Sequence, residues 1–372
     1  MLPLASAPSD TAPCCGPPPG PESSPYEKPG YTIQPFVGTF VNTALGHIPS
    51  IKTRTEFWDW MGAIKARLGI GRDRYRVSPG LYAVGKPDSA SPVLVSANYK
   101  LTFDVLRKAL KTIDAWILVV DTRGINVWCA AGKKLFSTQA LTRWVNRTGL
   151  ERLVDHRRLI LPQLSATGVS AHQVKKQSGF EVVWGPVRAT DIPEFLQNGM
   201  VASPVMRQVS FSFIERLVLI PVEISLLKKH LFIAAGIAWL LSGIGKEVFS
   251  LSAAWNRGID VLAALTAGIV AGAVLTPILL PWLPATRFSV NGAVIGLVFG
   301  ACFPVWGGFS GLESIALILL SGVIGSFLAM NFTGSTPFTS PSGVEKEMRA
   351  AIPVQLAGII TATVLWVAAA FS

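Results

Sequence analysis

The chain has 372 residues, half of them hydrophobic and 15% charged, and a formal net charge of +11. The residues before Leu231 hold 28 Lys and Arg against 17 Asp and Glu, whereas the 142 from there on hold five of each. A basic N-terminal region suits an anionic ligand or membrane surface; no nucleic-acid-binding motif accompanies the charge, so nucleic acid is not expected as a partner.

Residues 1–30 are rich in Pro, Ser and Gly and hold too little apolar content to fold, so they read as a disordered tail without a secretory-type apolar stretch. Residues 54–68 have helical character, with Phe57, Trp60, Met61, Ile64 and Leu68 at three- and four-residue spacing. Pro79-Gly80 signals a turn. Strand and helix then alternate. Residues 92–97 (PVLVSA) read as a buried strand, 103–111 as a helix and 115–120 (AWILVV) as a second strand. A loop over 121–124 precedes a helix over 126–146. Next come a strand at 158–161, a helix at 171–177, a strand at 181–184 and a helix at 191–198. This alternation predicts an α/β domain over residues 31–208 with a Rossmann-like, mostly parallel sheet. Ligands of such sheets bind outside the carboxyl ends of the strands. Residues 96–100, 121–132 and 185–189 would gather at that edge.

From residue 231 the pattern changes. Apolar segments near 231–249, 259–283, 288–309, 314–331 and 350–371 approach the roughly 20 residues that span hydrocarbon. They predict an all-α transmembrane domain of about five helices over 231–372. Residues 209–230 are the linker, carrying a helix that lies along the interface. Lys228, Lys229, Arg287, Lys346 and Arg349 fall on one side, and Lys246 and Arg257 on the other. The positive-inside rule then places a multi-pass protein in the cytoplasmic (inner) membrane with its N-terminal domain cytoplasmic. The polar loop over 331–347 reads either as a solvated connection or as a docking segment.

The four cysteines are Cys14, Cys15, Cys129 and Cys302, and no CxxC pair occurs. That argues against an iron–sulfur cluster, a structural zinc site or a disulfide framework built by this chain. Cys14-Cys15 reads as incidental or as a flexible dithiol that hands over a soft metal, and Cys302 as packing inside the third span. The four histidines lack zinc-protease spacing, and phosphate-loop, GxSxG and dinucleotide fingerprints are missing. Cys129 is the exception. A lone cysteine is by default a small buried hydrophobe. Here it sits in Asn126-Val127-Trp128-Cys129-Ala130-Ala131-Gly132-Lys133, in what reads as a helix's first turn. Helix-start N–H groups and Lys133 and Lys134 nearby favour a thiolate there. Such a group is suited to be a soft metal ligand or a nucleophile.

The string NVWCAAGK, preceded by AWILVVDTRGI and PVLVSANYKLTFD, resembles the corrinoid protein of microbial mercury methylation. The soluble part is also similar to the corrinoid-binding portion of the corrinoid iron–sulfur protein's large subunit. The resemblance implies a base-off corrinoid with Cys129 as lower axial ligand of cobalt and catalytic residue. The turn from Asn126 to Lys133, with Val127 and Trp128, would cap the corrin's lower face, and Ala130, Ala131 and Gly132 would let the macrocycle approach. Ser96, where the family has Thr, and Asn98 fall at corrin-contacting positions, as does Ala189. Asp121, Thr122 and Gly185 join the expected contact set from the sheet edge.

The implied activity is that of a corrinoid-dependent methyltransferase of anaerobic one-carbon metabolism that methylates Hg(II). Its implied partners are a ferredoxin-like [4Fe-4S] electron donor and a folate-dependent methyltransferase as methyl source. Two competing readings are a methyl carrier for another acceptor, such as an acetyl-CoA pathway component, and a membrane transporter with a cytoplasmic ligand-binding domain.

Overall fold

The computed structural model describes residues 19–304, 309, 311–333, 336 and 341–372; Cys14 and Cys15 lie outside them. The chain forms two compact units. One comprises the described residues up to Ala66 with Ile70–Val209, and the other Arg67–Gly69 with Ser210–Ser372.

The first unit is an α/β domain. In chain order it holds β1 (Val37–Thr43), β2 (Gly46–Ile51), α1 (Phe57–Arg67, whose last residue groups with the second unit), β3 (Gly80–Val84), β4 (Val93–Ala97), α2 (Lys100–Ala109) and β5 (Ala115–Val120). Then follow α3 (Val127–Gly132), α4 (Thr138–Thr148), β6 (Arg158–Leu161), α5 (Ala171–Ser178), β7 (Glu181–Trp184) and α6 (Ile192–Gln197). The strands form one seven-stranded sheet in the order β1-β2-β3-β5-β4-β6-β7. β5, β4, β6 and β7 pair in parallel, as the strand–helix alternation predicts. The sheet is mixed, because β1 runs antiparallel to β2 and β3 antiparallel to β5. β3 is buried along its whole length, but it is only five residues long and opens on the Pro79-Gly80 turn signal, which hid it from periodicity.

Every residue of β4 and β5 is buried, which marks them as central strands covered on both faces. One core layer joins β4 and β5 to Val127, Ala130, Leu141, Val145 and Val174 of α3, α4 and α5. The other joins them to Phe103, Leu106, Leu110, Ile192 and Phe195 around α2 and α6.

The helix expected over 126–146 is two helices. Lys134 takes φ +59 just past α3, and Ser137 then caps α4 by accepting from the Ala140 N–H at 3.3 Å. A left-handed residue followed by a new N-cap ends one helix and starts another. The segment read as a tail is docked from Gly20 onward: Gly20 N–H donates to the Arg123 carbonyl at 2.9 Å, and Glu27 pairs with Arg76 at 2.8 Å.

The second unit is helical. Its elements are α7 (Phe213–Ser242), α8 (Leu251–Ile269) continuing through a π-helical turn (Val270–Leu275) into α9 (Thr276–Leu279), α10 (Phe288–Gly300), α11 (Gly311–Thr333) and α12 (Pro341–Ala368). Among the described residues three helical stretches are long and apolar enough to cross a membrane: Leu251–Trp282, Gly311–Phe332 and Gly343–Ala368. The expected count of about five differs for two reasons. The interfacial segment and the first apolar segment are one helix, α7, opened by a Ser212–Glu215 capping box. Of the third apolar segment, the described residues give the 13-residue α10, with residues 303–304 also helical. Of the loop read over 331–347, residues 331–333 and 341–347 are helical.

α10 lies close against α11 because both present glycine. A Cβ on Gly296 would stand 2.4 Å from the Ser321 carbonyl oxygen, and one on Gly325 would stand 2.5 Å from that of Gly292. Small residues are what lets apolar helices approach this closely. Cys302 is exposed, with its Sγ 3.7 Å from the Val298 carbonyl oxygen, so it is not core packing.

Candidate functional site

β4 and β5 end side by side, and the loop that leaves β5 is pinned by a side chain at the end of β4. Asn98 is fully buried. Its Oδ1 accepts from the N–H groups of Thr122 and Gly124, both at 3.0 Å, and its Nδ2 donates to Asp121 Oδ1 at 2.9 Å. The buried Thr122 hydroxyl lies 2.6 Å from the Ile125 carbonyl, to which it donates, and 2.9 Å from Asn98 Oδ1. Asp121 accepts from Arg123 N–H at 3.0 Å and from Ser23 N–H at 3.1 Å. The turn needs these bonds, because Arg123 and Gly124 stand at φ +55 and +77, a region costly for a side chain such as arginine's.

This loop delivers α3. Asn126 is its N-cap, and its side-chain oxygen accepts from the Cys129 N–H at 2.9 Å. Cys129 is therefore the third residue of a helix of six. In so short a helix any stabilisation of a thiolate comes from first-turn N–H groups rather than from an extended dipole. Cys129 is half-buried and packs against the core layer below, while Trp128 beside it is exposed. Gly168 holds the other side of α3. A Cβ there would stand 2.3 Å from the Phe136 carbonyl oxygen and 3.0 Å from Ala131 Cα, so glycine is required for this approach.

A cleft of about 400 Å³ opens at the carboxyl ends of β4, β6 and β7. Its walls include Val95 and Ser96 from β4, Leu101 and Val105 from α2, and Asn126, Val127 and Trp128 from the start of α3. Pro162 after β6, and Gly185, Pro186 and Ala189 after β7, complete it. The location follows from the topology. β4 is flanked by β5 on one side and β6 on the other, so the chain leaves β4 in one direction and crosses back over it from β5. A crevice at such a reversal is where open α/β sheets take ligands.

The structure places the expected contact residues in four settings, and Cys129, packed against the core layer, is not among those that line the cleft. Ser96, Asn126, Val127, Trp128, Gly185 and Ala189 line the cleft. Asn98 and Thr122 are buried beneath it, with their polar groups engaged in the loop, as are those of the half-buried Asp121. Ala130 and Ala131 are buried in the core under α3. Gly132 is exposed and Lys133 half-exposed at the helix's end. Sequence reading missed the α2 wall, Gly168 and the bracing role of Asn98. The only cue for Gly168 was an isolated glycine between a short strand and a helix. Among the described residues no group of three or more His, Cys, Asp or Glu could hold a metal ion.

A second constellation anchors α1. Arg107 is fully buried and pairs with Asp104 at 2.8 Å and Asp59 at 2.7 Å, while donating to the Lys52 and Arg54 carbonyls. Lys100 reaches Asp59 at 2.6 Å and Asp104 at 2.7 Å. Burial alone would raise the Asp59 carboxyl. Hydrogen bonds from Lys100, the Glu56 N–H and Arg107 outweigh that and hold it at about 2.

Residues 50–196, which contain most of the sheet and the whole cleft, match the family described as CO dehydrogenase/acetyl-CoA synthase delta subunit. They form a domain distantly homologous to that family, followed in this chain by apolar helices. Among individual relatives, the acetyl-CoA decarbonylase/synthase complex subunit gamma of Methanopyrus kandleri is 35% identical over 129 residues, covering 34% of this chain and 28% of the relative. Its namesake from Methanocaldococcus jannaschii is 28% identical over 182 residues, 46% of this chain and 36% of the relative. The corrinoid/iron-sulfur protein large subunit of Moorella thermoacetica is 27% identical over 129 residues, 34% of this chain and 28% of the relative. The chain thus spans only about a third of the length of these relatives.

Proposed function

We propose that the cleft holds a corrinoid with Cys129 as the lower ligand of its cobalt, and that the protein transfers a methyl group to Hg(II). The observation that carries the reading is the position of Cys129. It sits on a rigid, capped turn whose first residues wall an apolar cleft at the carboxyl edge of the sheet. The donor set fits the group. Cys129 offers one soft sulfur, and among the described residues no group of three or more His, Cys, Asp or Glu could hold a metal by itself, which suits a metal whose other positions are filled by a macrocycle. The relative named as a corrinoid/iron-sulfur protein supports the same cofactor.

When bound, a corrinoid supplies a cobalt-bonded methyl group. The chain's own residues do the rest. Asn126 takes up the Cys129 N–H and sets the angle at which the sulfur leaves the turn. Asn98 and Gly168 keep that turn from shifting. If a corrinoid is held there, Cys129 as a thiolate would be an electron-rich ligand to its cobalt, which would suit methyl transfer to an electrophilic acceptor such as Hg(II). Resetting the cofactor requires a low-potential donor, and with no CxxC pair in the chain this falls to a ferredoxin-like [4Fe-4S] partner. A folate-dependent methyltransferase is the methyl source. The three long apolar helices support anchoring in a membrane, and the α/β unit is read as lying on its cytoplasmic side.

A second reading has a specific observation behind it: the gamma-subunit names of two of these relatives favour a methyl carrier serving acetyl-CoA chemistry. The test supplies purified holoprotein with Hg(II) or with an acetyl-CoA-forming acceptor, in wild type and in Cys129→Ala and Cys129→His. The proposal expects methylmercury from wild type only, with an altered cofactor absorption spectrum in both variants. Full activity in Cys129→Ala, or X-ray absorption without a sulfur neighbour to cobalt, overturns it.

A further inference from the structure

α1 is amphipathic the wrong way round for a helix packed on a soluble domain. Its inward face carries Asp59, Gly62, Ala63 and Ala66. Asp59 is held by Arg107 and Lys100, Ala66 is fully buried, and a Cβ on Gly62 would stand 2.7 Å from the Tyr75 ring. Its outward face carries the large apolar side chains. Phe57 is 60% exposed, Trp58 74% and Trp60 59%, with Met61 and Ile64 half-exposed along the same face. The Phe57 ring lies 5.5 Å from that of Trp58 and 6.1 Å from that of Trp60, so the three form one contiguous patch. Isolated exposed apolar residues are ordinary, but a contiguous aromatic patch marks an interaction surface.

We propose that this face of α1 is an interfacial membrane-binding surface that seats the α/β unit on an anionic bilayer. Three features select lipid over another protein. Tryptophan, with an apolar ring and one polar N–H, is the side chain enriched at the headgroup boundary. Cations adjoin the patch in sequence, with Arg54 before the helix and Lys65 and Arg67 on it. The acid of the helix, Asp59, is turned inward and neutralised by its partners, and Glu56 pairs with Lys52. Basic residues flanking an apolar helical face are the signature of a helix lying in an anionic surface. The bilayer is also at hand, since the same chain carries three stretches long and apolar enough to cross one. The inference rests on reading those stretches as membrane-spanning and is independent of the corrinoid.

The test uses the full chain reconstituted in phosphatidylcholine vesicles with about 30% phosphatidylglycerol, with and without brominated acyl chains that quench tryptophan. The chain holds 11 tryptophans, so the signal is the emission of wild type minus that of the Trp58→Phe/Trp60→Phe double variant, whose far-UV circular dichroism checks the fold. Brominated lipid should lower this difference emission by about twofold or more, and Lys65→Glu with Arg67→Glu, or omission of phosphatidylglycerol, should weaken the quenching. Trp282, 73% exposed at the end of a long apolar stretch, reports on the helices through Trp282→Phe. If Trp282 is quenched and Trp58 and Trp60 are not, the proposal is overturned while the spanning helices stand. Unquenched emission with chain-to-chain cross-links through position 60 gives the face to a second copy and equally overturns it. If neither signal is quenched, both readings fail.

Discussion

Replacing Asn98 by Ala removes the side chain that ties the end of β4 to the loop delivering Cys129. Two backbone N–H groups lose their acceptor, those of Thr122 and Gly124, each now at 3.0 Å. Thr122 is fully buried and Gly124 half-buried, so water can relieve the second but not the first. An orphaned buried donor costs about 1–3 kcal/mol, and an ordinary hydrogen bond such as that to Asp121 contributes about 1 kcal/mol. The sum is about 2–4 kcal/mol, a large part of the roughly 5–15 kcal/mol that holds a domain folded. Hydrogen exchange read by mass spectrometry on the full chain should then show the amides of 121–132 exchanging about 100-fold faster, since 1.4 kcal/mol is tenfold in an opening equilibrium. Amides of α5 should change far less. Unchanged protection across 121–132 would refute the argument, because it would mean that the loop holds its shape without the Asn98 carbonyl.

Gly168→Ala forces a methyl group to 2.3 Å from a backbone oxygen; we expect a loss of about 1–3 kcal/mol and weakened corrinoid retention, read by thermal denaturation and by cofactor content. Asn126→Ala should cost about 1 kcal/mol as a lost cap, and Asn126→Asp, which keeps the acceptor, should recover most of it in the same denaturation assay. Asp59, at about 2 in the folded chain against an ordinary 3.8, contributes stability that is complete above pH 4 and lost as pH falls through about 2. With its side chain 15% exposed and solvent screening allowed for, that contribution is about 1–2 kcal/mol. Acid unfolding of wild type should therefore be steeper between pH 4 and 2 than that of Asp59→Asn, and parallel curves would count against the ion-pair account of α1.

Strand and helix alternation from residue 92 to 198 was legible because each element there satisfies its own local rule. Four of the seven strands were found with bounds within a residue of those observed, being apolar runs closed by turn residues. The helix start that carries Cys129 was legible for a similar reason: Asn126 caps it from within a single turn. The composition change at residue 231 announced the apolar helices. Their number was less legible, since a capped helix runs through the polar boundary that sequence alone read as a break.

What only the tertiary structure decided were matters of direction and of long-range pairing. Three- and four-residue spacing says that Phe57, Trp60, Met61 and Ile64 share one face of a helix. It does not say which way that face points. The orientation is set by Arg107 and Lys100, more than 40 positions away in sequence, which draw Asp59 inward and so turn the aromatic face outward. Asn98 likewise read as a ligand contact, and its place beneath the cleft depends on two loops meeting across neighbouring strands. Backbone preference and capping act between residues a few positions apart and are written in the local string. Ion pairs, loop-bracing hydrogen bonds and glycine approaches such as Gly168 on Ala131 join distant segments and exist only once the sheet has brought those segments together.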